Sequence, residues 1–122
     1  MQPIYLDYAA TTPVDPRVQK AMRPFLGKNE GLFGNPNSLH QYGERAYEAM
    51  EQARANLAGI FGTNSENITF TGSATEANNL FIRGTLKAYF NLSNHKGIPH
   101  AVVSSIEHAS VLSTVRDLEK DG

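Results

Sequence analysis

Two short β-prone runs, Ile68-Thr69-Phe70 and Ala101-Val102-Val103-Ser104-Ser105-Ile106, bracket a stretch of helical character. Strands separated by a helix pair in parallel through a crossover, so this alternation restricts the chain to few topologies. It predicts an α/β fold in which a mostly parallel sheet is flanked by helices. The turn Thr71-Gly72-Ser73-Ala74-Thr75-Glu76 leads from the first run into a helix over roughly residues 76–89. Glu107-His108 leaves the second run, and Val111, Leu112, Val115 and Leu118 then follow helical spacing. That helix is expected to stop near Asp121-Gly122, where a βαβαβ chain would begin its next strand, so the sheet reads as incomplete. An open strand edge of this kind favours association with another chain.

Upstream, Ile4-Tyr5-Leu6 reads as a short extended piece that runs into a loop of small residues, Ala9-Ala10-Thr11-Thr12-Pro13. Asp15-Pro16 is a helix-start signal, with Val18, Met22 and Phe25 on one face and Pro24 expected to kink or end the helix. Residues 27–38 are rich in Gly, Pro and Asn and form a loop longer than the usual median of about 4–6 residues. Ala46, Ala49, Met50, Ala53, Leu57, Ile60 and Phe61 mark a second helix, which Gly62 stops. The segments are then 1–14 (entry and loop), 15–62 (helices and a loop) and 63–122 (the βαβα portion).

Eleven basic against twelve acidic residues leave a formal charge of -1, which gives nucleic acid or an anionic membrane no electrostatic reason to bind. Residues 1–7 lack a basic stretch leading into an apolar one, and no run approaches the roughly 20 apolar residues of a membrane span. A cytoplasmic protein is expected. The absence of cysteine removes disulfides, thiolate metal sites and a Cys nucleophile from this chain. His40, His95 and His100 match no metal-ligand template, and no metal is assigned.

The turn at residues 71–76 admits two readings. Backbone N–H groups at a helix N-terminus, the dipole and the Thr75 hydroxyl together suit a phosphate. Ser73 and Glu76 equally form a Ser-x-x-Glu capping box that needs no ligand, and spacing alone favours this reading. His108 lies past a β-prone run, where open sheets gather ligands, and could stack on an aromatic ring or shuttle a proton. It could equally be a plain helix-entry residue. Asn35-Pro36-Asn37-Ser38 with His40 fits a binding loop or a solvated turn.

Taken in order, Tyr5-Leu6-Asp7-Tyr8-Ala9-Ala10-Thr11-Thr12-Pro13, Gly34-Asn35-Pro36-Asn37-Ser38-x-His40, Thr71-Gly72-Ser73-Ala74-Thr75-Glu76-Ala77-Asn78-Asn79 and Glu107-His108 resemble the cysteine desulfurases of the NifS/IscS type. These are pyridoxal-phosphate (PLP) enzymes of the class V aminotransferase branch. The resemblance covers essentially the whole chain and implies the N-terminal part of the type I aminotransferase fold. It also implies a homodimeric enzyme that converts L-cysteine to L-alanine and passes the sulfur, as a Cys persulfide, toward iron–sulfur cluster or other sulfur-transfer biosynthesis. By resemblance Ala74 and Thr75 would hold the PLP phosphate, and His108 would stack on the ring and take part in proton transfer. Ala10, Thr11, Asn35 and His40 would line the substrate entrance. The chain departs from the family in reading Gly72-Ser73 where members often have Ser-Gly.

By the same resemblance, the Schiff-base lysine, the persulfide cysteine and the substrate-carboxylate arginine lie beyond residue 122. None of Lys20, Lys28, Lys87, Lys96 and Lys120 stands in the family's His-Lys pair. The chain alone is therefore expected to be inactive, its partners being the remaining C-terminal part or a complementing chain and a sulfur-acceptor protein. Other readings are a non-enzymatic α/β assembly or regulatory module derived from such an enzyme, or part of a selenocysteine lyase or another class V relative.

Overall fold

The structure, a computed structural model, describes residues 3–29, 31–92 and 100–120. It divides into two compact units, Met1–Ile68 and Thr69–Gly122.

In the first unit, helix α1 (Pro16–Leu26) starts where Asp15-Pro16 predicts. Asp15 Oδ1 accepts from the Arg17 backbone N–H at 2.7 Å, and Pro16 brings no N–H to satisfy. Pro24 falls in the last turn, and the helix continues for two residues past it. Helix α2 (Gln41–Phe61) begins five residues before its first apolar marker, because His40 caps it. It ends at Gly62, whose φ of +63° suits glycine and lets Thr63 N–H close back on the Ala58 carbonyl at 2.9 Å. The loop before α2 is drawn onto its first turn: a Cβ at Gly43 would collide with the Ser38 carbonyl, and one at Gly34 with the Tyr42 carbonyl. A 3-10 turn (Ser65–Asn67) then packs beside α2.

In the second unit, helices α3 (Ala74–Leu92) and α4 (Ala109–Lys120) pack on each other. The most buried residues of α4 are polar: Ser110 is 7% exposed and Thr114 is 2% exposed. Small polar side chains let the helices approach if each finds a partner. Thr114 Oγ1 donates to the Ser110 carbonyl at 2.7 Å, and Asn78 Nδ2 of α3 donates to Ser110 Oγ at 2.9 Å. Val111, Leu112, Val115 and Leu118 are half-buried, as their spacing predicts. The expected stop at Asp121-Gly122 lies outside the described residues.

The α/β expectation is overturned. Among the described residues the regular structure is entirely helical, with no strand at 4–6, 68–70 or 101–106, and therefore no sheet and no strand edge to drive association. A strand is stabilised only by a partner strand, and here one backbone group in each of the runs 68–70 and 101–106 bonds to a side chain instead. Ile68 is extended, with φ -105° and ψ 119°, yet its carbonyl accepts from the Arg54 guanidinium. The Ile106 N–H goes to Ser104 Oγ at 3.3 Å. β-Propensity in these runs describes a surface suited to a sheet and does not supply one.

Candidate functional site

The turn before α3 forms the capping box and still keeps donors to spare. Ser73 Oγ accepts from Glu76 N–H at 3.1 Å, and Glu76 Oε2 accepts from Gly72 N–H at 2.7 Å. The reciprocal bond thus reaches one residue further upstream than in the usual box. Thr71 Oγ1 donates to the Ser73 carbonyl at 3.1 Å, which also accepts from Ala77 N–H at 3.0 Å. Ala74 and Thr75 are the first two helical residues, so their N–H groups have no acceptor within α3. The two sequence readings of this turn are compatible: the box uses Gly72 and Glu76 and leaves Ala74 and Thr75.

His108 is the residue before α4, and its carbonyl accepts from Val111 N–H at 2.9 Å and Leu112 N–H at 3.2 Å. Its ring caps the helix as well, Nδ1 accepting from Ser110 N–H at 3.1 Å. The helix-entry reading of His108 is therefore correct as local structure. The same ring also lines a shallow cavity of about 330 Å³ with Thr75, Asn79, Ser110, Ser113 and Asp117. Asp117 is paired at the rim, 3.4 Å from Arg83 Nη2 and 3.3 Å from Lys120 Nζ.

The remaining sequence candidates lie in the first unit, in local hydrogen-bonded turns. Ala10 N–H and Thr11 N–H close on the Asp7 carbonyl at 3.1 and 3.4 Å, and the Tyr5 hydroxyl donates to the carbonyl of Thr11 at 3.1 Å. Asn35 Oδ1 accepts from Asn37 N–H at 2.9 Å, an Asx turn. His40 Nδ1 accepts from Gly43 N–H at 3.2 Å. The structure thus brings Thr75 and His108 to one cavity, sets Ala74 at the helix end beside Thr75, and gives Ala10, Thr11, Asn35 and His40 turn and capping bonds.

Sequence reasoning assigned no role to Asn78 or Ser110, which bridge α3 and α4, Ser110 also lining this cavity. The available signal was the His-x-Ser spacing at a helix start, which puts Ser110 in reach of a capping ring. Among the described residues no group of three or more His, Asp or Glu is placed to hold a metal ion, and no helix is long and apolar enough to cross a membrane.

The aminotransferase class-V family model matches residues 4–122. The cysteine desulfurase IscS of Shewanella sp. (strain ANA-3) is 48% identical over 121 residues, covering 98% of this chain. That of Shewanella loihica (strain ATCC BAA-1088 / PV-4) is 46% identical over the same length. This chain spans 28% of the length of each of these relatives. A solved NifS-like protein superposes with a TM-score of 0.82 at 36% identity, over 99% of this chain and 31% of that one. The chain therefore belongs to the class-V aminotransferase family and is homologous, over nearly all its length, to cysteine desulfurases of the NifS/IscS type.

Proposed function

We propose that this sequence is part of a PLP-dependent cysteine desulfurase of the cytoplasm, acting on L-cysteine as a homodimer and passing sulfur to an acceptor protein. The observation that carries the reading is that Thr75 and His108, far apart in sequence, line a single cavity. The donors beside it fit a phosphate monoester: two N–H groups at the start of a 19-residue helix, its dipole, and the Thr75 hydroxyl. Ala74 and Thr75 would hold the phosphate, and His108 would lie against the ring. When bound, PLP supplies an electron sink for the substrate's α-carbon. The chain's own residues bind and orient: the helix end fixes the anion, and the His108 imidazole limits tilt and can hold a proton. The persulfide thiol must come from elsewhere, since this chain has no cysteine.

The test is PLP binding and sulfide release by this sequence together with the remainder of a desulfurase. Thr75→Val keeps the side-chain shape and deletes the hydroxyl. Losing a hydrogen bond to a charged group, about 1.5–3 kcal/mol, should weaken PLP binding roughly 10- to 100-fold. Unchanged affinity would remove Thr75 from the anchor. A well-folded assembly with no cofactor absorbance and no sulfide would remove the reading itself.

A further inference from the structure

Ser110 stands between two side chains of different character. Asn78 Nδ2 of α3 lies 2.9 Å from Ser110 Oγ, and Ser110 Oγ lies 2.9 Å from His108 Nδ1. The Ser110 backbone N–H, which can only donate, also points at Nδ1 at 3.1 Å. Nδ1 must therefore be the accepting nitrogen. A hydroxyl that receives the Asn78 amide hydrogen keeps its own hydrogen to give. It is directed at the same Nδ1, so two donors converge on one lone pair and the neutral ring carries its proton on Nε2. Ser110 is 7% exposed, so its hydroxyl has little access to competing water, while the His108 ring is exposed.

We propose that Ser110, oriented by Asn78, is a positioning residue that holds His108 in its Nε2–H tautomer and fixes the ring's attitude to the cavity. The functional meaning rests on the reading of His108 given above, whereas the tautomer itself is a property of this chain without any cofactor. Asn78 and Ser110 lie on different helices, so the packing of α3 on α4 adds a second donor to the local backbone bond that places the proton on His108. His40, which also accepts a backbone N–H at Nδ1, serves as an internal reference.

Long-range ¹H–¹⁵N correlation spectra of protein labelled with ¹⁵N-histidine read the tautomer directly, and His108→Gln identifies the signal. The wild-type protein should give the Nε2–H pattern for His108. Ser110→Ala leaves the backbone donor and removes the hydroxyl, so the ratio of the tautomers should move toward Nδ1–H by roughly 2- to 10-fold, the equivalent of one ordinary hydrogen bond. Ser110→Thr should restore it. Asn78→Asp substitutes a group that only accepts, turns the hydroxyl away from the ring, and should reproduce the Ser110→Ala shift with the serine still present. A wild-type Nδ1–H pattern, or a ratio unmoved in both Ser110→Ala and Asn78→Asp, overturns the proposal. Failure of PLP to bind with these tautomer shifts intact would instead count against the functional reading alone.

Discussion

His40 and His108 do the same local job in different surroundings. Each precedes a helix, and each offers Nδ1 to a backbone N–H of the first turn, at 3.2 Å for His40 and 3.1 Å for His108. Around His40 the neighbours are a close-packed loop and the Tyr42 ring, edge-on at 6.3 Å. Around His108 they are a second donor, Ser110 Oγ, and a cavity that Thr75 shares. A capping histidine is thus structural by default. What distinguishes His108 is a tertiary partner beside the same nitrogen and an opening beside the ring.

The largest effect should come from the packing that supports His40. Gly43→Ala drives a methyl group into the Ser38 carbonyl and should destabilise the first unit by up to about 3 kcal/mol in urea unfolding. The ¹⁵N signals of His108 should not change. A mild effect would mean that this loop yields easily and that the two caps differ less than their surroundings suggest.

Replacing the rings themselves is the direct comparison. His40→Ala and His108→Ala should each lose a cap worth about 1 kcal/mol, measured by thermal unfolding. Only His108→Ala should also weaken the cofactor absorbance of the assembled enzyme. Equal losses of absorbance in both variants would erase the distinction.

The smallest effect concerns a cap made by a carboxylate. Arg17 holds the Asp15 carboxyl below its ordinary value of 3.8, through its guanidinium first and its backbone N–H second. A depressed folded value means that this contribution is present above about pH 3.8 and is lost as pH falls through the lower folded value. Helicity of α1, followed by circular dichroism, should therefore fade only at strongly acidic pH. Added salt should weaken the cap, because both side chains are exposed. Asp15→Asn, which can cap without a charge, should flatten the acid dependence.

Helix boundaries were legible in the sequence wherever one or two residues decide them. Asp15-Pro16 opens α1, Gly62 closes α2, and Ser73 with Glu76 opens α3 as a capping box. Thr75 and His108 were legible as candidates because a helix start and the exit of an apolar run are local features. Asn78 was not, since its partner Ser110 lies on another helix, and Ser110 was signalled only by the His-x-Ser spacing. The start of α2 was placed late because its first turn carries few apolar residues and is held by His40 and the glycine contacts.

By itself the sequence determined the Asp15 and Ser73 caps, the Gly62 stop and the family motifs, all of which rest on hydrogen bonds or residue order within a few positions. Only the tertiary structure decided that the runs at 68–70 and 101–106 form no strand among the described residues. Strand formation needs a second segment at ladder distance, and here Arg54 takes the Ile68 carbonyl and Ser104 the Ile106 N–H. Tertiary structure also decided what surrounds the His108 ring. Ser110 Oγ lies against its Nδ1, and Asn78 reaches Ser110 from a neighbouring helix, a connection that exists only once α3 and α4 have packed.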